Sequence, residues 1–326
     1  MLSKSHKRII VIIIALAVSV FIWNVNASWG NTFWTCLLLS TTTFLIIYTP
    51  FEIYFSWRDI YFDRWERLYL KDIVILKEKI VVEGGHLSVN LVQSTNQEAL
   101  HLKKTLIVVS PGFSDKKESL QHIYYPIALE GYTILAYDAR GIGESKKTGK
   151  RNDFIKRIED FKTIVQWIKN HDKFRKFKIN CIGISIGALT VLCGGFSDKY
   201  IEKIVGISSI SKYSENIRIS KRIVKFSYRM KGINLSPNDE INEQLSPYII
   251  IKNLKNNNSQ ETWKNLAERV YLIHARNDRI IQFKNFEENR DILELSENQL
   301  ILNKGGHNLK KDELVIVGAL LKFLNK

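Results

Sequence analysis

Three cysteines in 326 residues are too few for a disulfide framework, which sets aside the small secreted scaffolds and leans the chain toward a reducing compartment. With only 5 prolines and 17 glycines, collagen-like and Pro/Gly-rich disordered classes are excluded too. No internal repeat, low-complexity tract, metal-ligand cluster or dinucleotide fingerprint occurs, so no cofactor is implied. Acidic residues are also scarce. Asp+Glu 33 against Lys+Arg 48 leaves a net charge of +15, which attracts nucleic acid, anionic lipid or an acidic substrate. What is present is a 45% hydrophobic content, enough for a sizeable core.

The longest absence lies near the N-terminus, where no Asp, Glu, Lys, Arg or His occurs from Ile9 through Phe51. One helix of those 43 residues would be about 65 Å long, twice the hydrocarbon thickness of a bilayer. Two crossings are therefore expected, Ile9 to about Val25 and about Phe33 to Phe51, separated by the polar tip NASWGN. Trp23, Trp29, Trp34, Tyr48, Tyr54 and Trp57 fall near the span ends, at headgroup level. Lys4, Lys7 and Arg8 precede the first span, Arg58, Arg64 and Arg67 follow the second, and the tip has no basic residue; both flanks are expected to be cytoplasmic. Two other topologies are open. Val25-Asn26-Ala27 loosely fits a signal-peptide cleavage site, which still leaves the second span as an anchor. Alternatively, one span plus an interfacial Thr-rich segment would put the rest of the chain outside.

The expected organisation is an anchor over residues 1–57, a juxtamembrane linker over 58–72 carrying YFDRWERLYLKD, and one catalytic-sized domain over 73–326. From about Ile73, short β-branched runs alternate with amphipathic helical segments, the pattern of helices on both faces of a largely parallel sheet. ILKEKIVVE and HLSVNLVQ form a hairpin through Gly84-Gly85, and TLIVVS, YTILAY, KINCIGI, KIVGIS, RVYLIHA and NQLILN read as buried strands. Residues 211–267 break the alternation with short helical stretches, where a lid would be inserted.

Gly183-Ile184-Ser185-Ile186-Gly187 follows one of these strands and opens a helix. A serine on such a turn is held in strained geometry with its hydroxyl above the sheet, and small neighbours are required because strand and helix approach closely. A serine nucleophile needs a base, and the base needs an orienting carboxylate. Asp278 follows the strand VYLIHA, and His307 follows QLILN in the run Lys304-Gly305-Gly306-His307. The order Ser185, Asp278, His307 places each group at the carboxyl end of a parallel strand. His274 is the rival base, but a mid-strand imidazole reads as a core histidine bonded to backbone. Glu287, Glu288, Asp291 and Glu294 are expected on the solvent face of a helix. Oxyanion donors are expected from the backbone N–H groups of Ile186 and, in the turn Ser110-Pro111-Gly112-Phe113, of Phe113.

With these residues in view, the chain resembles the α/β-hydrolase superfamily over roughly residues 73–326, and especially its serine-aminopeptidase, lysophospholipase and monoglyceride-lipase-like branch. The resemblance rests on the serine elbow, on Asp138-Ala139-Arg140-Gly141-Ile142-Gly143-Glu144-Ser145, similar to that branch's D-x-R-G-x-G-x-S turn, and on Gly305-Gly306-His307. It implies an α/β fold with a helical lid. Asp138 and Arg140 are expected to satisfy buried backbone rather than to catalyse. One departure is that the branch has His-Gly where this chain has Pro111-Gly112, which keeps the backbone donor and removes a side chain.

The run 211–231 carries Lys212, Arg218, Lys221, Arg222, Lys225, Arg229 and Lys231 against Glu215, interleaved with apolar residues. As one helix it is loosely amphipathic, suited either to an anionic bilayer surface or to simple solvation. No nucleic-acid motif occurs and the basic clusters flank the spans or the lid, so nucleic acid is not an expected partner. The expected function is a membrane-anchored serine hydrolase acting on an ester, thioester or amide, with lipid-like acyl esters favoured. An acyltransferase using the same triad, or a non-catalytic membrane scaffold, are the alternatives.

Overall fold

The computed structural model describes residues 4–61, 71–96, 98, 100, 103–307, 309 and 312–326. The chain divides into two compact units, residues 1–68 and 69–326.

The first unit contains α1 (Lys4–Ser28) and α2 (Phe33–Tyr61). They pack as a hairpin: Trp23 meets Phe33 edge-to-face at 5.4 Å near the turn, and Arg8 pairs with Glu52 at 3.3 Å at the far end. Both helices outrun the expected spans. Asn26 and Ser28 stay helical by donating side-chain hydrogen bonds to Ile22 O and Val25 O, so the tip shortens to the turn before Phe33. At the other end α2 continues past Pro50 to Tyr61. Segments 7–28 and 33–55 are long and apolar enough to cross a membrane, and only 11% of each is buried. Most of the expected linker, with Arg64 and Arg67, lies outside the described residues.

The second unit is built on an eight-stranded sheet in the order β1-β2-β4-β3-β5-β6-β7-β8, with β1 (Ile73–Val82), β2 (Gly85–Ser94), β3 (Thr105–Ser110), β4 (Thr133–Tyr137), β5 (Lys178–Ile184), β6 (Ile201–Ile207), β7 (Val270–Ala275) and β8 (Gln299–Leu302). β2 runs antiparallel to both β1 and β4, and every other pairing is parallel. Alternation along the strands feeds two cores. Leu106 and Val108 of β3 join Leu135 of β4 and Cys181 of β5 on one face, whereas Ile107 and Val109 join Ile134 and Ala136 on the other. The first face is covered by α4 (Phe154–Asn170) and α5 (Ile186–Gly195), the second by α3 (Gln121–Leu129) and α12 (Glu313–Asn325). All six residues of β3 are buried, as expected of a central parallel strand covered on both faces.

Between β6 and β7, at the position expected of a lid, five helices are inserted, α6 (Tyr213–Ile219), α7 (Arg222–Met230), α8 (Asp239–Gln244), α9 (Pro247–Asn257) and α10 (Gln260–Glu268), and α11 (Lys284–Leu293) follows β7. The basic run 211–231 is therefore not one loosely amphipathic helix. It breaks at Ser220, which has extended backbone and whose hydroxyl donates back to Asn216 O at 2.7 Å. After the break, α7 has two distinct faces. Val224 is buried and Tyr228 packs in the lid core, while Ile223, Phe226 and Met230, at i, i+3 and i+7, are 72%, 61% and 71% exposed.

Candidate active site

The strand order reverses around β3, and the loops at the carboxyl ends of β3, β5, β7 and β8 converge there. Ser185 is the residue between β5 and α5, at φ 55° and ψ −116°. Such a conformation costs a non-glycine residue about 1–3 kcal/mol and persists only where the surroundings enforce it. Here the Ser185 N–H is tied to Ile207 O at 2.8 Å, and the helix presses on the neighbouring strand end. A Cβ on Gly187 would overlap the carbonyl oxygen of Ser110, and one on Gly183 would overlap that of Gly187. Both glycines are thus required by close backbone approach.

The structure brings Ser185, Asp278 and His307 together. His307 Nε2 lies 3.0 Å from Ser185 Oγ, and His307 Nδ1 lies 2.8 Å from Asp278 Oδ2. Asp278 Oδ1 accepts the backbone N–H groups of Ile280 and Ile281 at 2.8 and 3.0 Å. Burial works to raise the Asp278 carboxyl, yet the hydrogen bond and charge of His307, with His274 and the Ile280 N–H, hold it below its ordinary value. The acid therefore stays ionised against the imidazole. His274 makes no hydrogen bond to Ser185 or His307 among the described residues: its Nε2 meets Ile281 O at 2.9 Å and stands 3.7 Å from Asp278 Oδ2, burial pushes its pKa down, and it lies beside Phe283 and Phe286. It braces the loop that carries the acid.

Of the two expected oxyanion donors, Ile186 directly follows Ser185 and Phe113 lies in the turn after β3. Neither the Phe113 N–H nor the Ile186 N–H donates to a protein acceptor among the described residues. Their segments abut, because Gly187 packs on the Ser110 and Pro111 carbonyls and Gly112 faces Ile184 O. Above them, Phe113 and Ile186 join Tyr213, Ile217, Tyr228, Ile233 and Ile281 in an apolar cluster shared with the lid. The arrangement has the parts for acyl transfer: a hydroxyl, an oriented base and two free N–H groups.

Residues 102–257 match the family model described as serine aminopeptidase, S33. The chain belongs to the α/β-hydrolase superfamily. This serine hydrolase also superposes on solved structures that share its fold. A 2,6-dihydroxy-pseudo-oxynicotine hydrolase matches at TM-score 0.56 and 14% identity, over 77% of this chain and 68% of that one. The esterase Pf2001 of Pyrococcus furiosus matches at 0.54 and 18%, over 79% and 94%. Pyrococcus horikoshii acylaminoacyl peptidase matches at 0.57 and 17%, over 78% of this hydrolase and 42% of that chain. Among curated protein sequences none matches.

Around the triad, the hydrolase uses residues that sequence reasoning did not single out. Asn277 Oδ1 accepts the Gly306 N–H at 2.9 Å, joining the acid loop to the histidine loop. Asp115 Oδ2 accepts the Gly112 N–H at 3.2 Å, and Arg157 Nη2 donates to Pro111 O at 2.6 Å and Gly112 O at 3.2 Å. A signal for Arg157 exists in the sequence, since it falls on the stripe Phe154, Ile158, Phe161, Ile164, Val165 and Ile168 that α4 buries. Asp138 satisfies backbone as expected, accepting from Lys117 N and Glu144 N, but Arg140 mainly pairs with Asp160 Oδ1, at 2.6 Å. Glu288 also departs from its expected solvent-facing role: it is half-buried and pairs with Lys212 at 3.4 Å.

Proposed function

We propose that this serine hydrolase is held at a membrane by its N-terminal hairpin, with the catalytic unit on the cytoplasmic side, and cleaves lipid-like acyl esters through an acyl-enzyme. Ser185 Oγ attacks the acyl carbon as His307 takes its proton; the tetrahedral oxyanion is held by the Phe113 and Ile186 N–H groups. His307 then returns the proton to the leaving alcohol as the acyl–oxygen bond breaks. Water, deprotonated by the same imidazole, attacks the acyl-enzyme and frees the acid, and Asp278 keeps the ring oriented through both halves. The observation that carries this reading is the unbroken relay from Ser185 Oγ through His307 to Asp278, at 3.0 and 2.8 Å.

An apolar acyl group is supported by the Phe113, Ile186 and lid cluster over the serine. Membrane attachment is supported by the exposed apolar faces of the hairpin, where Phe21, Leu38 and Ile46 are 64%, 67% and 67% exposed. Assayed on long-chain p-nitrophenyl esters, monoacylglycerols, lysophospholipids and aminoacyl amides, the purified full chain is expected to prefer the lipid-like esters. Turnover confined to the amides would reassign it as a peptidase, and acyl products formed on added alcohols in place of free acid would make it an acyltransferase.

The exposed Ile223, Phe226 and Met230 stripe has Lys221, Arg222 and Arg229 exposed beside it, the composition of a helix that rests in an anionic interface. Full burial of each such side chain contributes about 1.5–3 kcal/mol. Changing all three to Ser is therefore expected to lower turnover of lipid presented in anionic vesicles by at least about tenfold, with hydrolysis of soluble p-nitrophenyl acetate retained. Equal rates on vesicles would mean that α7 is merely solvated.

A further inference from the structure

The turn after β3 is short, contains Gly112, and must present one N–H with fixed direction. What fixes it comes from a distant helix. Arg157 of α4 is 1% exposed, and its Nη2 reaches the carbonyl oxygens of Pro111 and Gly112. Gly112 C=O and Phe113 N–H belong to the same peptide group, and in a trans peptide they point in opposite directions. A donor on the carbonyl therefore turns the N–H the other way. On the far side of Gly112, its own N–H is taken by Asp115 Oδ2. Both peptide planes of the turn are thus pinned.

We infer that Arg157 is a positioning residue for catalysis: its buried guanidinium holds and polarises the Gly112–Phe113 peptide so that the Phe113 N–H is directed at the oxyanion. The inference rests on the serine-hydrolase reading above. Two features separate this role from ordinary packing. The guanidinium is a whole positive charge in a water-excluded place, where a charge-assisted bond to a carbonyl is stronger than a neutral one. And Nε and Nη1 have no hydrogen-bond partner, so the side chain's polar contacts are spent on the turn alone. Burial pushes the guanidinium pKa down, opposed by the charges of Tyr137, Asp115 and Asp160, and an arginine side chain keeps its proton in proteins.

The test compares wild type, Arg157→Met and Arg157→Lys in the full chain. The readouts are p-nitrophenyl ester kinetics, thermal unfolding and inhibition by an octyl trifluoromethyl ketone. Ser185 adds to that ketone, its proton passes to His307, and the carbonyl oxygen becomes an anion in the oxyanion site. Loss of one oxyanion donor lowers kcat by about 10²–10³, so Arg157→Met is expected to lose that much kcat with KM changed by less than about threefold. Its ketone affinity should fall by the same factor as kcat/KM, and Arg157→Lys should recover part of both. If Arg157→Met does not fold, Arg157→Lys carries the comparison, with a loss of about tenfold in both readouts. A folded variant with unchanged kcat, or with lowered kcat and unchanged ketone affinity, overturns the inference alone. A wild type inert to both ester and ketone overturns the hydrolase reading, and the inference with it.

Discussion

Asp278→Asn is expected to leave the hydrolase folded and to lower kcat by about 10⁴. The amide oxygen can keep the bonds that Asp278 Oδ1 accepts from Ile280 and Ile281, at 2.8 and 3.0 Å, so the loop need not move. The NH₂ then faces His307 Nδ1, where Oδ2 had accepted at 2.8 Å. That nitrogen must become an acceptor, which places the ring proton on Nε2. An Nε2–H pointing at Ser185 Oγ cannot take the serine proton. The effect should fall on kcat, with KM and the unfolding midpoint nearly unchanged. A kcat within tenfold of wild type would mean that another group orients the imidazole.

The largest stability effect is expected away from the chemistry, at Asp138. This carboxylate is fully buried and pairs with Lys117 Nζ at 2.7 Å, while also accepting Lys117 N and Glu144 N at 2.9 Å each. Lys117 is itself buried, and its ammonium is held protonated: burial works to lower its pKa, but the bonds to Asp138 and Glu144 raise it further. Removing one partner of a buried pair costs about 3–5 kcal/mol, because the other charge stays behind uncompensated. Asp138→Ala should show that loss in urea denaturation, with kcat of the folded fraction changed far less than by Asp278→Asn. A loss below about 1 kcal/mol would mean that Glu144 and Glu118 suffice to compensate Lys117. The clamp is also acid-sensitive. Hydrogen bonds from Lys117 and then Ser88 lower the Glu144 carboxyl from 4.5 to about 2, so its contribution is present above 4.5 and is lost as pH falls toward about 2.

Local patterns made much of this architecture legible. The parallel strands are continuous β-branched runs, and the glycines around Ser185 announce a close strand-to-helix turn. The relay could be assembled because each of its members follows a strand end. What could not be read depends on side chains meeting across long separations. Arg157 reaches Pro111, 46 residues away, through the packing of α4 on the sheet. Asn277 reaches Gly306 across 29 residues, and nothing in the local sequence distinguishes it from an ordinary turn asparagine. The break at Ser220 was hidden because the residues around it suit a helix. The back-bond to Asn216, the packing of Val224 and the distant Gln282, whose Nε2 donates to Ile219 O at 2.7 Å, separate the two segments, and with them the apolar stripe becomes coherent.

In this account the run 211–231, with seven basic residues against one acidic, supplies part of the +15 beside the exposed stripe of α7. The most direct test of the serine-hydrolase reading is covalent. A fluorophosphonate probe reacts with a serine only where a base removes the hydroxyl proton and donors hold the phosphoryl oxygen. Wild type is expected to label at Ser185, located by mass spectrometry, and Ser185→Ala should not label. Absence of labelling in wild type, or equal labelling of Ser185→Ala, would contradict the claim that Ser185 is the nucleophile.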